Sequence, residues 1–135
     1  MNRRLFVQVV CICSSLWLVG CGGDGIERVA LTGKVTFEGK PVEDGFITFY
    51  PTGQGIQSGA RILNGEYQAT GRGAIPVGKY QVRISWLKED PSKQVDGMPV
   101  PPQVNLIPAK YDTESELTLE IPSGKGSMTQ DYILE

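Results

Sequence analysis

The feature that most restricts the fold of this chain is a strict alternation of apolar residues in segment 80–87. Tyr80, Val82, Ile84 and Trp86 fall at every second position, and the residues between them are polar. Successive side chains of a β-strand point to opposite faces of its sheet, so this spacing predicts a strand with one buried face. We expect this strand to lie at the centre of a sheet and Trp86 to belong to the core.

Six further segments have the pattern of short strands bounded by turn residues. They are 29–37, 45–50, 58–63, 66–70, 117–121 and 128–134. Asn64 and Gly65 give the strongest short hairpin signal, because both residues tolerate a positive φ. Segment 45–50 is apolar on both sides, which predicts little solvent exposure. In the last segment, Tyr132 and Leu134 are expected to face the core.

No segment has a helical period, and turn residues separate the seven predicted strands. This pattern predicts an all-β fold, a seven-stranded Greek-key β-sandwich that occupies residues 29–135.

The segment 88–112 has no regular period and holds five of the nine prolines. An irregular connection of this length inside a compact domain is unusual and is often functional. Its run 98–103 favours a polyproline II conformation, in which Pro101 and Pro102 would dock in an aromatic groove of a partner. The alternative is a stiff loop that folds over the edge of the sandwich.

Tyr111 lies at the end of this segment, where its ring, with Trp86 and Tyr50, would form an aromatic platform for a sugar or a peptide. The alternative is that Tyr111 buries its ring and keeps its hydroxyl in water. We name Tyr111, Lys110, Pro101 and Pro102 as candidate contacts with a ligand or partner.

The beginning of the chain has the order of a secretory signal peptide: a cationic start, an apolar run and small residues. The apolar run 5–18 has 14 residues, whereas a membrane-spanning helix needs roughly 20. Residues 1–20 are therefore expected to be removed.

The four residues at the end of this segment, Leu18, Val19, Gly20 and Cys21, resemble the lipobox of bacterial lipoproteins. The resemblance implies cleavage before Cys21 and attachment of acyl chains to that cysteine, which would anchor the protein to a membrane. Residues 21–28 would then be the lipidated cysteine and a flexible tether. Gly22 stands where lipoproteins of enteric bacteria retained in the inner membrane have Asp, which favours the outer membrane, facing the periplasm or the exterior. The alternative is an ordinary signal peptide with an incidental Cys21.

The composition of the mature chain argues against several classes of function. Cys11 and Cys13 fall in the signal peptide and Cys21 would carry lipid, so no disulfide is expected. Loss of the signal peptide leaves 11 basic and 15 acidic residues, which argues against a nucleic-acid partner. The chain has no histidine, the commonest general base and metal ligand, which argues against an enzyme. We expect no catalytic residue, cofactor or metal.

Three acidic residues stand at every second position directly before the predicted strand 117–121. They are Asp112, Glu114 and Glu116. Their carboxylates have the chemistry of calcium ligands. The alternative is a set of solvated charges that discourage strand-to-strand aggregation.

Several strand and turn motifs resemble those of the carboxypeptidase regulatory-like domain. They are Val35-x-Phe37 with Gly39-Lys40-Pro41-Val42, Gly45-x-Ile47-x-Phe49, Asn64-Gly65-Glu66-Tyr67 and Gly78-Lys79-Tyr80-x-Val82. The later Ile107-Pro108-Ala109-Lys110-Tyr111, which leads into Leu117-Thr118-Leu119-Glu120-Ile121, is similar to small planctomycete lipoproteins that carry this domain alone. The resemblance covers 29–134 and implies a transthyretin-like sandwich of seven strands, within the broader immunoglobulin-like class. Such motifs are specific for fold and poor for function.

The transthyretin-like group also includes a hydrolase of purine catabolism, which depends on histidines and a C-terminal tail that this chain lacks. We therefore expect a non-enzymatic cell-envelope lipoprotein, held on the membrane by its lipid and presenting a β-sandwich to an envelope protein or glycan. The alternative is a solute or glycan binder that uses segment 88–112. The third hypothesis is an enzyme.

Overall fold

The computed structural model of the protein describes residues 25–135, and this part is an all-β domain without an α-helix. The predicted signal peptide, Cys21 and the first half of the predicted tether lie outside the described residues. The strands are β1 (Arg28–Phe37), β2 (Lys40–Pro41), β3 (Asp44–Pro51), β4 (Ser58–Leu63), β5 (Glu66–Ala69), β6 (Ile75–Pro76), β7 (Gly78–Ser85), β8 (Leu87–Glu89), β9 (Gln103–Asn105), β10 (Thr118–Ile121), β11 (Ser127–Thr129) and β12 (Tyr132–Leu134). Three short 3-10 turns span Gly71–Gly73, Pro91–Lys93 and Ala109–Tyr111. In the described range no helix is long and apolar enough to cross a membrane.

The main sheet has the strand order β10-β7-β3-β4-β5-β1-β11, and β2, β6 and β12 also pair with β1. Its strands are antiparallel, except that β11 and β12 run parallel to β1. β4 and β5 pair only beside their turn, at Ile62 with Tyr67 and Leu63 with Glu66. Beyond that point the two strands diverge and the sheet curls. As a result the ring of Phe49 in β3 lies 6.3 Å from that of Tyr67 in β5, although β4 separates the two strands in the sheet.

The predicted all-β fold is confirmed by this arrangement. Each of the seven predicted segments contains a strand, and the last segment contains two, β11 and β12. The short strands β2, β6, β8 and β9 are additional. The turn at Asn64 and Gly65 has the predicted positive φ at both residues, 51° and 79°.

A single apolar cluster lies inside the curl of the sheet. Val82, Ile84 and Tyr80 of β7 are buried in it, and half-buried Trp86 packs against it. β7 has β10 on one side and β3 on the other, as expected for an internal strand. Tyr132 and Leu134 are also buried, as predicted.

The prediction that segment 45–50 has little solvent exposure is wrong on one of its two faces. Ile47 and Phe49 are fully buried, but Phe46 is 48% exposed. Phe46 points away from the inside of the curl, where no second layer of the described residues covers it. Farther along the same face, the guanidinium of Arg83 lies 4.5 Å from the centre of the Tyr50 ring.

The strands run between two ends of the domain, an N-terminal end and a distal end. β1 and β7 both start at the N-terminal end, where the Val77 N–H donates to the Glu27 carbonyl at 3.0 Å. The eight residues of β7 carry the chain roughly 25 Å, at about 3.3 Å per residue, to the opposite or distal end. The turn at Asn64 and Gly65 and the strand β8 lie at this distal end.

Candidate functional site

The segment after β7 contains an antiparallel hairpin at the distal end. Leu87 pairs with Asn105, Lys88 with Val104, and Glu89 with Gln103, and these strands form a sheet of their own. The predicted irregular connection 88–112 therefore contains most of two short paired strands, which the sequence pattern did not predict. Its two strands have only three residues each, too few to show an alternating pattern. We refer to residues 87–105 as the distal hairpin.

The base of the distal hairpin is fixed to the body of the domain through Asn105. Its side-chain oxygen accepts hydrogen bonds from the backbone N–H of Trp86 at 2.9 Å and of Ile107 at 3.1 Å. Its side-chain nitrogen donates to the Asp112 carboxylate at 2.8 Å. Ile107 is 3% exposed and belongs to the core cluster, so the returning strand is anchored directly in the interior.

The tip of the distal hairpin is ordered by its own polar side chains. The Asp90 carboxylate accepts from the N–H and the hydroxyl of Ser92, at 3.0 and 2.5 Å, and lies 3.8 Å from the Lys93 ammonium. The hydrogen bond from the Ser92 side chain is the main cause that lowers the pKa of Asp90. The Gln94 amide nitrogen donates to the carbonyl oxygens of Met98 and Val95, at 2.7 and 3.2 Å. The tip therefore has a defined shape.

Aliphatic side chains of the distal hairpin are turned to solvent. Leu87, Val95, Met98 and Val100 are 53%, 53%, 56% and 52% exposed. Every residue in 91–100 is exposed, so this stretch is open to solvent along its length. Exposed apolar groups gathered on one projecting element are typical of a protein-docking surface, and methionine adapts its shape to a partner.

The prolines named from the sequence lie where the hairpin closes. The carbonyl oxygen of Pro102 accepts from the Asp90 N–H at 3.0 Å, and Pro101 and Pro102 are half-buried. The part of run 98–103 that is open to a partner is therefore its beginning, at Met98 and Val100.

Tyr111 lies in the turn Ala109–Tyr111, apart from the hairpin tip. Its half-buried ring packs against the core, and its hydroxyl donates to the backbone carbonyl of Glu135 and accepts from the backbone N–H of Glu135, both at 3.0 Å. The Lys110 ammonium lies 4.7 Å from the ring centre. The Glu135 N–H first, and Lys110 second, lower the pKa of Tyr111. Both the ring and the hydroxyl are thus engaged within the chain.

Lys110 and Tyr111 lie together beside an open hollow, and Pro101 and Pro102 are not among the residues that line it. This hollow, of about 560 Å³, is lined by Lys110, Tyr111, Glu114, Glu116 and Leu117. Contact of Tyr111, Lys110, Pro101 or Pro102 with a ligand stays a prediction. Within residues 25–135 no group of three or more acidic or cysteine side chains is placed to hold a metal ion.

Sequence reasoning missed a groove at the N-terminal end of the domain. Ile26, Ile56 and Val77 line it, and they are 41%, 48% and 37% exposed. Its volume is about 380 Å³. These residues come from three separate loops that have no common pattern in the sequence, and only the fold places them side by side.

Comparison with known proteins adds one distant likeness. No protein-family model and no curated protein matches this chain. The chain is similar to the crystal structure of "a putative adhesin" from Bacteroides ovatus, with 15% identity and a TM-score of 0.48. The match covers 81% of this chain and 44% of the other, so the chain spans less than half of that protein's length.

Proposed function

We propose that this protein is a non-enzymatic cell-envelope lipoprotein that is anchored through Cys21 and presents the distal hairpin to an envelope protein. The observation that carries the proposal is the position of the hairpin. It lies at the end of β7, whereas the chain enters the domain at the start of β1, at the opposite end. An anchored domain would therefore hold the hairpin away from the membrane.

The distance between anchor and domain supports a membrane-surface location. Cys21 precedes Arg28, the first residue of β1, by seven positions. A fully extended chain of that length reaches roughly 25 Å at 3.3–3.6 Å per residue. Two or three acyl chains on Cys21 would hold the domain durably on the bilayer. The signal peptide, the cleavage at Leu18, Val19 and Gly20, and the outer-membrane location are parts of this proposal.

The side chains of the distal hairpin favour a protein partner over a glycan. Val95, Met98 and Val100 offer aliphatic surface, which matches the apolar centre of a protein interface. Segment 91–102 contains no aromatic residue on which a sugar ring would stack. The ring of Tyr111 packs against the core and has the Lys110 ammonium 4.7 Å from its centre.

The absence of enzymatic activity is also part of the proposal. The sequence has no histidine, the side chain that most often serves as a general acid or base near neutral pH. The chemistry available to the chain therefore favours binding over catalysis.

We also propose that the domain is a transthyretin-like sandwich of the carboxypeptidase regulatory-like kind. A strand in each of the seven predicted segments and the turn at Asn64 and Gly65 support this assignment. The curl of the sheet, which places Phe49 against Tyr67, brings its two halves face to face, as such a sandwich requires.

The anchor is tested by intact-mass spectrometry of protein purified from its native membrane, with and without an inhibitor of the lipoprotein signal peptidase. We expect a chain that starts at Cys21 and carries acyl chains, and an uncleaved precursor in the presence of the inhibitor. Cys21→Ser should carry no acyl chain and should remain uncleaved before position 21. A mature chain without acyl groups on Cys21 would contradict the anchor.

The docking surface is tested with a photo-crosslinking residue placed at Met98 in intact cell envelopes. The matched control is the same residue at Ile133, which is 77% exposed but lies on β12. We expect a discrete adduct from position 98 and none from position 133, and substitution of Val95 and Val100 by Asp should abolish it. Equal crosslinking from both positions would reject the hairpin as the docking surface.

A further inference from the structure

The groove at the N-terminal end is built on a fixed backbone. The N–H of Thr52 donates to the Lys79 carbonyl at 3.0 Å, and its hydroxyl donates to the same oxygen at 3.3 Å, which holds the loop that carries Ile56. The Val77 N–H donates to the Glu27 carbonyl at 3.0 Å, which joins the loop of Val77 to the segment of Ile26. Three exposed aliphatic side chains are thus held together on one end of the domain.

Basic residues outnumber acidic ones among the described residues at this end of the domain, although the chain as a whole is acidic, and Lys79 lines the groove itself. The basic residues at this end are Arg28, Arg72, Lys79 and Lys125. The only acidic residues of the described range at this end are Glu27, whose carboxylate accepts from the Gly124 N–H at 2.5 Å, and Glu120, whose strand position pairs with Lys79. The described residues at the N-terminal end therefore have a net charge of +2, and the remaining described residues together have −5.

We propose that the N-terminal end of the domain lies directly on the bilayer, with Ile26, Ile56 and Val77 at the level of the lipid head groups. The side chains of Arg72, Lys79 and Lys125 would contact anionic head groups. This inference rests on the lipid anchor proposed above, and it adds the orientation of the domain and the class of lipid. Surface binding of this kind grows with the apolar area buried and with attraction to anionic lipids, and both features coincide here.

The proposed anchor would bring this end of the domain to the membrane. Ile26 follows Cys21 by five residues, so the groove would be kept within roughly 20 Å of the lipid at all times. At such a high effective concentration, a weak contact is enough to orient the domain. The distal hairpin would then point straight away from the membrane.

A fluorescent probe at position 56 tests this orientation. Ile56→Cys is labelled with an environment-sensitive fluorophore in the full lipidated protein, whose Cys21 is blocked by its lipid. The matched control is Ile133→Cys. Each protein is reconstituted into vesicles of phosphatidylcholine alone or with 30% phosphatidylglycerol. We expect a blue shift and quenching by brominated acyl chains at position 56 in the anionic vesicles, several-fold weaker effects in the neutral vesicles, and neither effect at position 133.

The outcomes separate this inference from the anchor itself. If the protein floats with vesicles but the probe at position 56 emits as in water, the orientation is overturned and the anchor stands. If the protein does not float and Cys21 also takes the label, the anchor is overturned. Lys79→Glu combined with Lys125→Glu should remove the difference between the two vesicle types without releasing the protein. An unchanged difference in that variant would overturn the role of these charges.

Discussion

The side-chain oxygen of Asn105 accepts a hydrogen bond from the backbone N–H of Trp86, at 2.9 Å, across the base of the distal hairpin. The same oxygen accepts from the Ile107 N–H. A single amide therefore joins the residue before the hairpin to the residue that enters the core after it. The Leu106 N–H also donates to the Trp86 carbonyl, at 2.8 Å. These contacts matter for the position of the hairpin because its two strands have only three residues each.

Asn105→Ala should loosen the distal hairpin while leaving the core intact. Two backbone N–H groups would lose their acceptor, at a cost of about 1–3 kcal/mol. We expect faster hydrogen exchange for the amides of 86–105 and unchanged exchange for the buried amide of Val82. Gln94→Ala is the control, because its hydrogen bonds lie within the tip and its effect should stay there. Unaltered exchange at Trp86 and Ile107 in the Asn105 variant would show that the amide does not hold the base.

Gly33→Ala should destabilise the whole domain. A Cβ at position 33 would lie 1.8 Å from the carbonyl oxygen of Gln130 and 2.6 Å from its carbon. Both are backbone atoms, so β1 or the link between β11 and β12 would have to move, at a cost of about 3 kcal/mol. Gly53→Ala is the matched control, since a Cβ there meets no atom within 4 Å. Urea denaturation measures the stability of both variants. Equal midpoints would refute the close approach of the Gln130 backbone to Gly33.

Two tyrosines of the core should respond in opposite ways to replacement by phenylalanine. The Tyr67 hydroxyl donates to the Gln130 carbonyl at 2.7 Å, so Tyr67→Phe should cost about 1–2 kcal/mol. The buried Tyr132 hydroxyl has no hydrogen-bond partner among residues 25–135. Tyr132→Phe should therefore be neutral or stabilising by up to about 1 kcal/mol. Urea titrations measure the free energy of unfolding of each variant. An equal loss of this free energy in both variants would contradict the prediction.

Stability should fall as the pH rises above about 10. Burial raises the pKa of Tyr67 and of Tyr132 well above their ordinary value of 10.0. Above that pH the tyrosines of the unfolded chain lose protons that these two retain in the native state, so the free energy of unfolding decreases. Urea titrations at pH 8 to 11 measure this decrease, and Tyr132→Phe should make it shallower.

The pKa of Tyr111 is shifted in the opposite direction to that of the two core tyrosines. Its pKa is lowered by the Glu135 N–H and by Lys110, so its ionisation should come first in an absorbance titration at 295 nm. Tyr111→Phe should remove this first step and leave the alkaline loss of stability in place. Persistence of the first step in that variant would assign it to another tyrosine.

Local patterns were sufficient to predict most of the strands. The alternation of Tyr80, Val82 and Ile84 identified an internal strand because every second side chain of a strand lies on the same face of its sheet, and these three are buried. Asn64 and Gly65 identified a hairpin because both residues accept the positive φ that its turn needs. In both cases the signal and the structure lie within a few neighbouring residues.

The features that sequence reasoning missed depend on contacts between distant residues. The strands of the distal hairpin are separated by thirteen residues and joined at their base by one asparagine side chain. The exposure of Phe46 depends on which face of β3 the rest of the chain leaves uncovered. The groove at Ile26, Ile56 and Val77 exists only because three loops meet. None of these follows from the order of polar and apolar residues.

The parallel pairing of β11 and β12 with β1 has a consequence for the order in which the domain assembles. The Lys34 N–H donates to the Asp131 carboxylate at 2.7 Å across a separation of 97 residues. One side of β1 therefore stays without its partners until nearly all of the domain has been synthesised, and such non-local pairing is slow. During that wait the open side of β1 can pair with another chain. The nascent protein is thus most exposed to misassembly in the interval between the emergence of its first strand and the arrival of its last.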